Sequence, residues 1–342
     1  MTATEEVSID YSAIEKKLAE LWRSEKDTEG AVTRAALWNV VTHTFNPRDH
    51  SFASETLARA SESVPQRAIV IRADLHGPSE IASWISANCH RVGAEKQVCS
   101  EEVAIVAGGN RVRHIPPLVN ALLIPDMPVA VWWVGDLPNE EHAYVETLLD
   151  PADRLIVDSS HFDSVADLVW LREIAERTFT APADLNWVRL EDWRLATASL
   201  FDPPSMRERL QKIRKLRIVA IGGAKKLFGD SIESLYYAAW LKAQGAAVSD
   251  YEFSLRKDEE NGALDQVHMA FDDGSEASIT RDPKHGVVIA TVDGIAQKVD
   301  CVTRVLGRGT HELIVRQLKR PEADKVFVKL LPIATELASR VA

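Results

Sequence analysis

Between Leu122 and Ser159 the sequence leaves few choices of fold. Pro125 and Pro128 bracket Asp126-Met127, and Val129-Ala130-Val131-Trp132-Trp133-Val134 follows without a polar residue. Proline pushes the residue before it to extended geometry and supplies no ladder donor, so a strand begins at Pro128. The apolar run is too short for a buried helix, and its lack of alternation suits a strand covered on both faces. Gly135 and Pro138 stop it. Glu140 to Leu149 has helical spacing, and Arg154-Leu155-Ile156-Val157-Asp158-Ser159 offers a second strand. A strand–helix–strand unit of this kind ordinarily pairs its strands in parallel.

Around this unit the chain alternates between both kinds of element. Ser12 and Glu15 form a capping-box pattern ahead of Ile14, Leu18, Leu21 and Trp22, which predicts a first helix to about Lys26, ended by Thr28-Glu29-Gly30. Residues 36–45 and 68–71 read as strands, with a helix over 50–63 between them. Ile85, Ala87 and Cys89 alternate with Ser86, Asn88 and His90, and Val103, Ile105 and Ala107 repeat that period of two. Val165 to Thr178 and Trp187 to Phe201 read as helices, and Pro203-Pro204 closes the second. Beyond it come a strand over 216–221, a helix over 231–244 with Gly245 as C-cap, and short strands with turns at Asp273-Gly274 and Asp293-Gly294. Helices over 311–319 and 323–339 end the chain. The expectation is a mixed α/β protein with an N-terminal helix over 1–30 and a mixed sheet with flanking helices over 31–202. A smaller strand-rich α/β domain fills 203–342, the boundary falling between about 203 and 214.

The chain has 342 residues, 40 Lys and Arg against 51 Asp and Glu, and a net charge of −11. That balance argues against nucleic acid and anionic membrane, which need a basic surface. Met1 to Asp10 has neither the apolar core nor the basic region of a signal peptide, and no apolar run approaches the length of a membrane span. Three cysteines in a chain this long read as cytosolic thiols rather than a disulfide framework, and the expected location is the cytoplasm.

Candidate chemistry is sparse. Gly222-Gly223-Ala224-Lys225-Lys226 joins a strand to a helix, so Gly222, Gly223, Lys225 and Lys226 could hold an anion, a sugar phosphate or nucleotide acting as effector. The turn lacks the spacing of a phosphate loop or a dinucleotide fingerprint, and a tight connection with solvated lysines explains it as well. Cys89 and Cys99 could form a redox-sensitive pair between neighbouring strands, or be buried thiols; with His90 and His76 they match no standard zinc spacing. No Gly-x-Ser-x-Gly elbow is present, and the pairs Glu101-Glu102 and Asp272-Asp273 are expected at exposed edges or turns. Trp187 and Trp193, six positions apart on a helix, project about 240° apart and are flanked by Arg189 and Arg194. These four residues fit either a helix–sheet joint or a partner contact, since tryptophan and arginine dominate interface hot spots.

Two blocks carry a resemblance. Leu123-Ile124-Pro125-Asp126-Met127-Pro128 through Trp132-Trp133, followed by Asp153 to Ser159, resembles the signature of the glucose-6-phosphate dehydrogenase assembly (OpcA) proteins. Asp184-Leu185-Asn186-Trp187-Val188-Arg189-Leu190-Glu191-Asp192-Trp193-Arg194 resembles that family's second hallmark, and Arg67 to Ile71 and Lys96 to Glu101 are weaker echoes. Neither block is a catalytic motif. The resemblance implies a non-catalytic partner of glucose-6-phosphate dehydrogenase that favours its active oligomer, needs no cofactor and supports NADPH production in the oxidative pentose phosphate pathway. The alternative from the residues alone is a phosphate- or nucleotide-binding sensor or enzyme using the Gly222–Lys226 turn.

Overall fold

Val129–Trp133 forms the strand its composition demands, with every residue buried. The computed structural model describes residues 5–7, 11–26, 31–92, 96–135, 137, 144–222, 228–257, 263–294, 299–305, 307–320 and 322–341. They divide into two units: Met1–Val157 with Phe179–Ala183 and Gly309–Ala323, and Asp158–Thr178 with Asp184–Arg308 and Asp324–Ala342. Pro203-Pro204, where sequence composition suggested a single cut, lies inside the second unit.

The first unit holds the strands β1 (Glu5–Val7), β2 (Ala31–Arg34), β3 (Trp38–Thr44), β4 (Gln66–Asp74), β5 (Ile81–Val92), β6 (Lys96–Gly108), β7 (Val129–Trp133), β8 (Arg154–Val157) and β9 (Ala181–Asp184). Among the described residues they form one sheet in the order β1-β5-β6-β4-β3-β7-β8-β9, with β2 beside β6. The run from β6 through β4, β3 and β7 to β8 is parallel, and β5 is antiparallel to β6. β3 is central and the chain winds outward from it in both directions, the doubly wound order whose topological switch lies between β3 and β7. Helices α1 (Tyr11–Lys26), α2 (Pro47–Ser61), α3 (Ile115–Leu122) and α4 (Tyr144–Leu149) belong to this unit.

Helix α1 buries Ile14, Leu18 and Trp22 of the predicted stripe; it begins at Tyr11, so Ser12 lies within it rather than capping it, and the Leu21 side chain lies outside the described residues. An ion cluster fixes it. The Trp22 indole donates to Glu101 at 3.0 Å, Arg34 pairs with Glu101 at 2.8 Å, and Arg67 binds both Glu101 and, at 3.0 Å, Glu15. Glu101 and Glu102 are therefore not at an exposed edge, as their sequence suggested. Both are buried, because β6 lies inside the sheet and arginines far away in sequence neutralise Glu101.

In the second unit, α5 (Val165–Arg177) is followed by α6 (Leu185–Arg189), α7 (Glu191–Phe201), α8 (Pro204–Arg207) and α9 (Ile232–Ala243). The single helix expected over Trp187 to Phe201 is interrupted at Leu190, which ends α6 and caps α7 at φ −79°, ψ −1°. The strands β10 (Ile213–Gly222), β11 (Asp250–Lys257), β12 (Leu264–Phe271), β13 (Glu276–Asp282), β14 (Val287–Asp293) and β15 (Val299–Arg304) form the second sheet, ordered β11-β10-β12-β13-β14-β15. Among the described residues only β10 and β11, joined through α9, are parallel. One face of this sheet buries Leu216, Ile218, Val267, Met269, Ile279 and Ala290 against α7 and α9. Asp273-Gly274 makes the expected hairpin turn, with Gly274 at φ +81°, a conformation that favours glycine. Helix α10 (Thr310–Leu318) returns to the first unit and α11 (Lys325–Val341) to the second.

Candidate functional site

A doubly wound sheet places its ligand crevice at the carboxyl ends of the strands flanking the switch point, here β3 and β7. The residues at that end fill the space with their own side chains. His43, the register partner of Trp133, stacks on its indole at 4.5 Å with an interplanar angle of 6°. Phe45 stands edge-on to both rings at 4.9 and 5.7 Å, and the Tyr144 hydroxyl lies 2.7 Å from His43 Nε2. Burial pushes the Tyr144 hydroxyl well above the ordinary phenol range. The turn from β3 into α2 reads Thr44-Phe45-Asn46-Pro47-Arg48, with no glycine where a dinucleotide's pyrophosphate needs close backbone approach. The Asn46 side chain accepts from the Asp49 amide at 2.9 Å, so the helix start that would meet a phosphate is already capped. These residues do not fit a nicotinamide dinucleotide.

Within the second unit, the two hallmark blocks meet in a buried charge cluster. Arg189 of α6 holds Asp158 in a two-pronged pair, both contacts 2.7 Å, and the Ser160 hydroxyl also donates to Asp158 at 2.7 Å. Burial works to raise the Asp158 carboxyl, but Arg189 prevails and holds it at about 2. Asp184, the N-cap of α6, accepts from the Ser159 and Asn186 amides at 3.1 and 2.9 Å and from the Tyr236 hydroxyl at 2.7 Å. Burial pushes Asp184 up to about 6. Glu233, raised by burial, accepts from the Leu264 amide at 2.8 Å and has Arg308 at 3.9 Å. Gly229 passes so close to this group that a Cβ there would sit 2.1 Å from the Ser160 carbonyl oxygen.

The residues singled out from sequence are placed as follows. Trp187 and Trp193 are enclosed, at 1% and 0% exposure. The Trp187 indole donates to Asp324 at 2.8 Å and packs on Phe327, while Arg194 lies 3.5 Å above its ring. Arg189 is committed to Asp158. The block thus forms an internal joint of the second unit. Gly222 ends β10, and Gly223, Lys225 and Lys226 lie outside the described residues. Cys89 and Cys99 are register partners on β5 and β6, the neighbouring strands expected, but they are joined as a disulfide rather than being free thiols. The bond packs with Trp22 and Ala87, so the expectation of unpaired cysteines is corrected for these two. Among the described residues, no group of three His, Cys, Asp or Glu side chains could hold a metal.

Sequence reasoning missed the crevice aromatics and the cleft of about 620 Å³ beside α2, where Ser54 donates to both Glu102 oxygens at 2.8 and 3.0 Å. Burial raises the Glu102 carboxyl; burial, then Arg72, lowers His50 on the same wall. Only the strand pairing reveals these neighbours. Asp158 stood in a quoted block, yet nothing local announced Arg189 as its partner.

Fold and crevice define a class: an α/β protein whose first unit has a dinucleotide-type sheet with the ligand crevice closed by its own aromatic side chains. The chain belongs to the OpcA family of glucose-6-phosphate dehydrogenase subunits, whose N-terminal domain matches residues 58–173 and whose C-terminal domain matches residues 180–331. A protein described as OxPP cycle protein OpcA from Synechococcus elongatus is 31% identical over 183 residues, 53% of this chain and 39% of that protein. Its namesake from Synechocystis is 28% identical over 208 residues, 60% of this chain and 42% of that protein. The aligned part is therefore well under half of these relatives' length. Among solved structures, the 3-ketoreductase KijD10 from Actinomadura kijaniata gives a TM-score of 0.48 at 11% identity, covering 89% of this chain and 96% of that one. A levoglucosan dehydrogenase gives 0.44 at 11%, covering 90% and 96%. Scores this low assign nothing further.

Proposed function

We propose that this chain is a non-catalytic assembly factor that binds glucose-6-phosphate dehydrogenase in the cytoplasm, favours its active oligomer and so supports NADPH production in the oxidative pentose phosphate pathway. Family membership supports the choice of partner, and one observation supports the absence of turnover: His43, Phe45, Trp133 and Tyr144 fill the crevice that this sheet order uses for a cofactor. A protein of this kind acts by binding one state of the enzyme better than another, and its effect is bounded by that difference in affinity. Three of the four residues of the phosphate-sensor alternative lie outside the described residues.

The test mixes the purified chain with the dehydrogenase of the same genome. Co-elution and a lower half-saturating glucose 6-phosphate concentration are expected. A clean null in both readouts would overturn the proposal, as would turnover of a small molecule by the chain alone.

A further inference from the structure

Within the second unit and among the described residues, α7 and α9 pack on one face of the second sheet, and on its other face the register sets residues out in level rows. Ile218, Val267, Ile279 and Ala290 point inward, so their strand neighbours point out. One outward row runs Val219–Gln266–Thr280–Ile289 across β10, β12, β13 and β14. Another, four residues along each strand and beyond the row Arg217–His268–Ser278–Thr291, runs Lys215–Ala270–Glu276–Asp293. Glu276 and Asp293 are both exposed and directly opposite each other, and among the described residues neither has a cation within ion-pair distance. Like charges facing across a ladder destabilise a sheet, so this pair calls for a neutralising neighbour. At the other end of the row Lys215 is exposed, 2.7 Å from Glu252 and 3.7 Å from Asp250.

We propose that this bare face is an interface between two copies of the chain, packed sheet on sheet about a two-fold axis that runs along the strands. Such an axis keeps every row on its level and reverses the strand order, so β10 of one copy faces β14 of the other. Lys215 then meets Asp293 of the partner subunit, Val219 meets Ile289 of the partner subunit, and Gln266 meets Thr280 of the partner subunit. Each contact occurs twice. The first axis also sets Glu276 opposite Ala270 of the partner subunit; the other in-plane axis, across the strands, would exchange the rows and leave Lys215, Glu276 and Asp293 all without an opposite charge, so charge favours the first. The area suffices. Six strands about 4.8 Å apart and roughly 20 Å long give about 500–600 Å² of plane, and side-chain corrugation brings this toward the roughly 800 Å² per partner of a standard interface.

Sedimentation equilibrium of the full chain at micromolar concentration is expected to return twice 37.9 kDa. Lys215→Asp and Asp293→Lys are each expected to weaken the dimer about tenfold or more. Combined in one chain they restore it, and Ile289→Arg yields a monomer. Melting curves check that each variant is folded. Should Ile289→Arg fail to fold, the exposed charge pair still decides the matter. A monomer at every concentration, a dimer indifferent to these changes, or no rescue by the double reversal would overturn the proposal. So would a monomer whose co-elution with the dehydrogenase is lost in Ile289→Arg, because the face would then belong to that enzyme. The assembly-factor reading is tested separately by co-elution of the unaltered chain.

Discussion

Asp158 and Arg189 are the residues through which the two sequence hallmarks of the family meet, and their side chains are largely withdrawn from water. Removing one partner of such a pair strands the other, so Arg189→Ala is expected to cost about 3–5 kcal/mol of stability, read by urea unfolding. Replacing both by apolar residues of similar volume is expected to cost less. Beside them Asp184 titrates in the opposite sense. Its folded value of about 6 lies above the ordinary 3.8, so the folded chain holds a proton that the unfolded chain releases. Stability from this group is full below pH ~4 and is lost as pH rises toward ~6, by at most about 3 kcal/mol. Asp158, held at about 2, behaves conversely, and its contribution disappears as pH falls from ~4 to ~2. Unfolding free energies measured from pH 3 to 7 should therefore show the rising-pH loss, and Asp184→Asn should flatten it; an unchanged slope would remove Asp184 as the cause. Gly229→Ala is expected to destabilise the folded chain, because the added methyl has a backbone oxygen 2.1 Å away and nowhere to move.

At the scale of elements, β7 and the turn after β3 carry the argument about function. Trp132 and Trp133 are both 2% exposed although they point to opposite faces, so β7 is covered on each side. Trp132→Ala is expected to cost about 3–5 kcal/mol by thermal or urea unfolding. NADPH fluorescence titrated with the chain should show no binding, since aromatic side chains occupy the crevice; a saturable signal lost on changing a residue there would contradict this. The strand was legible in advance because an unbroken apolar run between prolines is a local signal. That Cys89 and Cys99 lie on neighbouring strands was legible too, from the period of two around each; that they face each other in register was not. The start of α6 at Leu185 was not legible either, because Asp184, which caps it, is held by Ser159 and Tyr236 from elsewhere in the chain. Nor was the burial of Glu101, whose partners Trp22, Arg34 and Arg67 are brought in by pairing at long sequence separation.

For the whole molecule, coupling energies of ~1–3 kcal/mol, or about 5–150-fold in affinity, set the scale of any effect on a partner enzyme. Linkage makes that effect mutual: if the chain tightens glucose 6-phosphate binding by some factor, glucose 6-phosphate must tighten binding of the chain by the same factor. Titrating labelled chain into the dehydrogenase with and without substrate measures this, and unequal factors would rule out a simple two-state shift. The path of the chain adds a constraint of its own. It passes from one unit to the other at Val157, Thr178, Ala183, Arg308 and Ala323. A protease cut at Pro203-Pro204 would consequently liberate no self-sufficient piece: the N-terminal fragment lacks Thr310–Leu318, and the C-terminal fragment lacks Arg189 and Trp187. The two halves should regain order only when mixed, each completing what the other is missing.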